Sequence, residues 1–121
     1  METRKDILLG QEVIFSERTA RDVLDLADFA NKLEINEQRA VFINARCIED
    51  GLKWHINSLP FWAFFRKRKL RRMSKARQLV KELSINEISR LALVVVNLEN
   101  TEAKKKAAAQ PAIPAEGQSD V

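Results

Sequence analysis

The spacing of apolar residues changes at Ser16, and the parts before and after it predict different elements. Residues 6–15, DILLGQEVIF, contain two short apolar runs around Gly10-Gln11, which is typical of a β-hairpin. Glycine in the first central position favours a type II′ turn, because glycine adopts positive φ without steric cost. Two strands alone are marginally stable, so we expect the hairpin to pack against helices.

Beyond Ser16 the apolar residues recur at steps of three or four, the spacing of helices. This spacing predicts four helices, near residues 19–33, 37–57, 60–82 and 85–99. Gly51 interrupts the second helix and costs about 1 kcal/mol relative to alanine. It therefore predicts a bend or a close helix crossing.

Local signals predict where three of these helices begin. Thr19 and Asp22 resemble the residue pair that caps a helix N-terminus, and Ser84 with Glu87 forms the S-x-x-E capping box. Pro60 suits the first turn of the third helix, where a missing N–H is harmless.

The first predicted helix has an apolar stripe and an acidic side. The stripe comprises Val23, Leu24, Ala27 and Ala30. The acidic residues are Asp22, Asp25 and Asp28, which we expect to face water.

The last predicted helix is apolar over most of its circumference. A helix of this kind is buried on more than one side, and a chain of 121 residues has little material to cover it. We therefore predict that Leu91, Val94 and Val96 form an apolar surface for a partner.

Length and composition predict one domain of the mainly α class, with a short N-terminal hairpin, over residues 1–100. Three glycines and three prolines favour long helices, and 45% hydrophobic residues suffice for one core. Residues 101–121, TEAKKKAAAQPAIPAEGQSDV, contain no aromatic residue and are predicted to form a disordered tail. A single cysteine and the lack of any apolar run of about 18 residues predict a reducing, cytoplasmic setting without a membrane span.

Positive charge is concentrated in one segment of the chain. Residues 51–81 contain ten Lys or Arg and no Asp or Glu, while the rest of the chain carries the remaining eleven basic residues and all seventeen acids, a net charge of −6. Such asymmetry suits charge-complementary contact with a protein, including another copy of this chain.

Residues 60–73, PFWAFFRKRKLRRM, place four aromatic residues immediately before six basic ones. In one interpretation Phe61 and Phe65 enter the core and the basic side chains form a solvated face. Membrane docking, nucleic-acid binding and protein binding are the other interpretations. Nucleic-acid surfaces usually interleave aromatic and basic residues, which disfavours nucleic-acid binding here and leaves the other interpretations open. If the segment binds a protein, Trp62 and Phe64 are its predicted apolar contacts. The basic contacts are predicted to be Arg66, Arg68, Arg71 and Arg72.

No catalytic or metal-binding pattern is visible in the sequence. His55 and Cys47 lie eight residues apart without the further ligands that a metal site requires. Neither a phosphate-binding P-loop nor a dinucleotide fingerprint is present. We therefore expect a protein without cofactor, metal or enzymatic activity.

Two segments of the chain carry patterns that are informative together. Residues 7–35 contain a short LLGQEVIF segment followed by a T-x-R-D helix start at Thr19, Arg21 and Asp22. Residues 82–100 contain an L-S-x-x-E-I helix start and a recurring apolar pattern, with Leu83, Ile88, Leu91, Val95, Leu98 and Glu99 as its matching residues. In this order the two segments resemble the tail assembly chaperones of long-tailed bacteriophages.

The resemblance implies a non-enzymatic role in the host cytoplasm. Such chaperones bind the long helical tape measure protein, keep it soluble and help to recruit tail tube protein. Many exist in two lengths because ribosomes slip near the end of the gene, and Lys104, Lys105 and Lys106 are compatible with a slippery run of adenines. The same residues also suit a flexible, soluble tail.

Two other functions stay open at the level of sequence. One is a small helical nucleic-acid-binding protein that uses residues 66–77 on phosphates. The other is a structural or connector subunit of a virus particle.

Overall fold

The computed structural model describes residues 2–109, with side chains through residue 100, and shows a mainly helical protein behind an N-terminal antiparallel hairpin. The predicted fold class is thus confirmed. The helices are α1 (Ala20–Lys32), α2 (Arg39–Ser58), α3 (Phe64–Met73), α4 (Ala76–Glu82) and α5 (Ile85–Ala109), with one 3-10 turn at Phe61–Ala63.

The hairpin joins β1 (Thr3–Leu8) to β2 (Gln11–Ser16), with Leu8 paired to Gln11. Its central turn residues are Leu9 and Gly10, whose φ angles are 49° and 79°. Positive φ at both positions defines a type I′ turn, one residue earlier than the predicted type II′ turn. This register places Val13 and Phe15 on the face that packs on the helices, and burial of that face fixes the pairing.

The core forms around α2, which packs against the other four helices and β2. Gly51 lies where α2 crosses α5, and a Cβ atom there would lie 2.6 Å from Cγ2 of Val95. The close helix crossing predicted from Gly51 is therefore confirmed. Phe15, Ile48, Leu52, Leu70, Leu79, Ile88, Leu91 and Val95 are among the fully buried side chains.

The predicted third helix is divided into the 3-10 turn, α3 and α4. Lys75 adopts an extended conformation between α3 and α4, with φ −62° and ψ 133°. The backbone N–H of Ala76, which begins α4, donates to Oε1 of Glu49 on α2 at 2.9 Å. This long-range cap satisfies a free N–H at the break and lets Leu70 and Leu79 both reach the core.

Helix α1 begins with the predicted capping pair. The N–H of Asp22 donates to Oγ1 of Thr19, and the N–H of Thr19 donates to Oδ2 of Asp22, both at 3.1 Å. Asp22 is buried, so its predicted exposure to water is wrong, whereas Val23 and Leu24 of the expected apolar stripe are exposed.

Helix α5 begins after Ser84, whose Oγ accepts from the N–H of Glu87 at 3.2 Å. Its backbone continues to Ala109, ten residues beyond the predicted end at 99. Residues 101–109 are rich in alanine and lysine, which are strong helix formers. The remainder of the predicted tail, residues 110–121, lies outside the described residues.

Candidate partner-binding surface

Four aromatic side chains are exposed where α2 leads into α3. Phe61 is 92% exposed, Trp62 82%, Phe65 80% and Phe64 51%. We call these four residues the aromatic cluster. An exposed apolar group of this kind is unusual on a monomeric protein, which makes the aromatic cluster a candidate interaction site. The interpretation that Phe61 and Phe65 enter the core is wrong, whereas the predicted contacts Trp62 and Phe64 are accessible.

Helix α3 displays this cluster because it is anchored by a single buried residue, Leu70. Pro60 precedes the 3-10 turn, which carries Phe61 and Trp62 out from the body of the protein. Phe64 and Phe65 contact each other with ring centroids 4.8 Å apart. The core therefore leaves the aromatic side of this segment uncovered.

The basic residues of α3 share its outward side with Phe64 and Phe65. Arg68, Arg71 and Arg72 are exposed, as predicted for a basic contact surface. One helical repeat of about 3.6 residues places Arg68 one turn beyond Phe64, and Arg72 one turn further. Aromatic and basic side chains are thus separated along the helix axis but not around it.

Arg66 differs from the other predicted basic contacts. Its Nη2 donates to the backbone carbonyl oxygen of Glu12 at 3.0 Å and ties α3 to the hairpin. Part of its hydrogen-bonding capacity is therefore used within the fold.

The basic residues from Arg66 to Lys81 number nine. Within the described part of the chain, none of the nine forms an ion pair. Their positive charge is therefore available to an external partner, since neighbouring carboxylates do not neutralise it.

The apolar contacts predicted on the last helix are placed differently. Leu91 and Val94 are buried, and Val96 is partly buried against the core. Helix α5 is covered by α2, α4 and both strands of the hairpin. The prediction of a partner surface at Leu91 and Val94 is therefore wrong, because the neighbouring helices and the hairpin together cover α5.

A groove not predicted from the sequence lies beside the C-terminal end of α3, between α1, α2 and α4. Its volume is about 600 Å³. The apolar part is lined by Phe29, Leu33 and Phe42, and the exposed rim carries Arg72, Lys75 and Arg77. These residues come from three separated parts of the sequence. Only the positively charged rim could be anticipated from the sequence, from the concentration of basic residues after residue 65.

Buried polar groups elsewhere in the protein support the fold. Nε of Arg18 lies 2.6 Å from Oε2 of Glu99, and Nη2 lies 2.9 Å from Oε1, which connects the start of α1 to α5. Nζ of Lys53 lies 2.8 Å from Oδ1 of Asp22 and 3.4 Å from Oδ1 of Asp50. Burial raises the pKa of Asp50, although Lys53 beside it acts in the opposite direction.

Cys47 and His55 are both buried in α2. Burial raises the pKa of the Cys47 thiol to about 11, so the thiol stays protonated at neutral pH. Burial, with a smaller effect of the Arg66 charge, lowers the pKa of His55. No group of His, Cys, Asp and Glu within residues 2–100 could hold a metal ion.

Similarity to known proteins indicates no function for this chain, so the surface described above is the basis for inferring one. No family model, curated protein or solved structure matches the chain. Over residues 2–109, no helix has both the length and the apolar character required to cross a lipid bilayer.

Proposed function

We propose that this protein is a non-enzymatic assembly chaperone of the phage tail type, which binds apolar helical segments of a tape measure protein in the host cytoplasm. The observation that carries the proposal is the exposure of Phe61, Trp62, Phe64 and Phe65 in one group. These side chains can cover apolar residues of a partner helix and shield them from water until assembly. Recruitment of tail tube protein is part of the same proposal.

The proposed role explains why the aromatic cluster is retained outside the core. An exposed group of this size carries a risk of aggregation. The nearby positive charge of Arg68, Arg71 and Arg72 opposes self-aggregation, because copies that approach through the same face repel each other. A partner without that positive charge meets no such barrier.

Co-expression with a phage tape measure protein tests the proposal. Wild-type protein should keep that partner soluble, and the double variant Phe61→Ser/Trp62→Ser should reduce its soluble yield several-fold. Because both side chains are exposed, the variant should keep its thermal transition within about 2 °C.

The matched control is Leu24→Ser/Ile35→Ser, which removes apolar side chains that are 64% and 89% exposed elsewhere. The control should retain wild-type activity. Equal soluble yield with the Phe61→Ser/Trp62→Ser variant, or an equal loss with the control, contradicts the role of the aromatic cluster.

Nucleic-acid binding is the second candidate, favoured by one observation. Arg68 and Arg72 lie on the same outward side as Phe64 and Phe65, so bases and phosphates could both be contacted. Salt separates the two functions, because phosphate contacts lose affinity steeply with salt whereas apolar helix capture does not. Binding to single-stranded oligonucleotides that weakens about 10³-fold or more between 50 and 200 mM salt, with loss in Phe64→Ser, would favour nucleic acid over the chaperone.

A further inference from the structure

The groove beside α3 has two chemically different parts. Its inner part is apolar, formed by the half-buried side chains of Phe29, Leu33 and Phe42. Its rim is positively charged, with Arg72 from α3 and Arg77 from α4 exposed on one side. At about 600 Å³, it is large enough to accept several side chains of another molecule.

The positive charge of this groove is not balanced within it. Glu49 is the one carboxylate among its lining residues, and it already accepts from the N–H of Ala76 at 2.9 Å. Arg46 is engaged as well, since its Nε lies 3.4 Å from Oδ1 of Asp50 and its guanidinium lies 5.3 Å from the Phe29 ring centre. Arg72, Lys75 and Arg77 have no ion-pair partner among the described residues.

The groove continues the surface that begins at the aromatic cluster. Arg72 follows Phe65 by seven residues, which corresponds to about 10 Å along the helix. A partner helix of about three turns could therefore cover the aromatic cluster with one half and reach the groove with the other.

We propose that the groove binds the acidic half of the same partner segment whose apolar half covers the aromatic cluster. This inference rests on the proposed function and adds a rule for partner choice. Aspartate or glutamate carboxylates pair with Arg72 and Arg77, while aliphatic side chains on the same segment enter the apolar part of the groove. A nucleic-acid backbone supplies the negative charge but has no aliphatic side chain to enter the apolar part of the groove.

A display library of helical peptides, panned on the full-length protein, tests this partner chemistry. Peptides that are enriched should combine apolar residues at helical spacing with Asp or Glu about two turns away. Fluorescence anisotropy of the enriched peptides then gives dissociation constants for wild-type protein and variants. Arg72→Gln/Arg77→Gln should weaken binding about tenfold or more. The matched control Lys69→Gln/Lys81→Gln removes the same charge outside the groove and should change binding less than about threefold.

The outcomes separate the groove from the aromatic cluster. Enriched peptides that lack acidic residues, lose binding in Phe61→Ser/Trp62→Ser and keep it in Arg72→Gln/Arg77→Gln would overturn the groove proposal and leave the chaperone role standing. No enrichment above background would overturn both. Equal weakening of peptide binding by Arg72→Gln/Arg77→Gln and by Lys69→Gln/Lys81→Gln would show that binding depends on overall positive charge and not on the groove. That result would overturn the proposal. In another outcome, peptides are enriched only on a dimeric form of the protein, and the dimer is lost in Arg72→Gln/Arg77→Gln. That result would identify a second copy of the chain as the occupant of the groove and would also overturn the proposal.

Discussion

Gly51 shows how a single position can require the smallest residue even inside a helix. Glycine is a poor helix former, and replacing it with alanine at an ordinary helical site stabilises the protein by about 1 kcal/mol. At Gly51, however, an added Cβ would meet both methyl carbons of Val95, at 2.6 and 3.2 Å. Valine side chains are stiff, so the steric cost should exceed the gain in helix propensity.

Gly51→Ala is therefore expected to lower the free energy of unfolding by about 1–3 kcal/mol, as measured by urea denaturation. Adding Val95→Ala to this variant should cost less than the sum of the two single changes, because the smaller side chain removes the clash. Asn57→Ala, on an exposed face of the same helix, serves as a control and should change stability by less than about 0.5 kcal/mol. A stabilised Gly51→Ala protein would mean that α2 and α5 are further apart.

Helix α1 is attached to the body of the protein mainly by polar contacts. Asp22 is its one buried residue, and Val23 and Leu24 are exposed. Nη2 of Arg39 donates to the carbonyl oxygen of Ala30 at 3.1 Å near the other end of the helix. An element held in this way should be sensitive to pH, because few apolar contacts remain when its charges are neutralised.

Asp22→Asn is expected to lower the free energy of unfolding at pH 7 by about 1 kcal/mol. Burial alone would raise the pKa of Asp22, but hydrogen bonds from Lys53 and Thr19 outweigh it and hold the pKa below its ordinary value of 3.8. A lowered carboxyl pKa stabilises the fold above the unfolded-state value, and this contribution is lost as the pH falls through the folded-state pKa. The difference between wild type and Asp22→Asn should therefore shrink below about pH 4.

Urea midpoints across pH 2.5–7 measure this difference. Asp28→Asn makes the same change at an exposed position of α1 and should match the wild type throughout. A constant difference between wild type and Asp22→Asn at all pH values would show that the carboxylate charge does not attach α1.

Helix α5 completes the core of the whole molecule. It contributes the buried residues Ile88, Leu91, Ala92, Val94, Val95 and Leu98. It also carries Arg90 and Glu99, which pair with Asp6 and Arg18 near the opposite end of the chain. Without α5, β2 and α2 would expose the apolar faces that now pack on it.

A fragment of residues 1–84 is therefore expected to lack a cooperative thermal transition by circular dichroism. The loss of six buried apolar side chains exceeds the marginal stability of a domain of this size. A fragment of residues 1–109 keeps α5 and should melt within about 2 °C of the full chain. Cooperative melting of the shorter fragment would show that the core forms without α5.

The features that could be predicted from sequence were those fixed by neighbouring residues. The capping pair at Thr19 and Asp22, the start of α5 after Ser84, and the hairpin around Gly10 all depend on contacts within a few positions. Gly51 was informative because an unfavourable residue in a helix needs a compensating reason.

The features that could not be predicted depend on contacts between distant residues. The break between α3 and α4 is stabilised by Glu49, which lies 27 residues before Ala76. Helix α5 is covered by elements that include the distant hairpin, and the groove appears only when α1, α2 and α4 are brought together. The aromatic cluster was visible in the sequence, but its exposure was one of several arrangements that the pattern allowed.

The pairing of Asp6 with Arg90, 84 residues apart, has a consequence for the order of events during synthesis. A ribosome that adds about 5–20 residues per second completes the hairpin at Ser16 roughly 4–15 s before it makes Arg90. During that interval the strands have no helix α5 to pack on, and a lone hairpin is marginally stable. The nascent chain therefore stays open to proteases and to other polypeptides until nearly the whole domain has been translated.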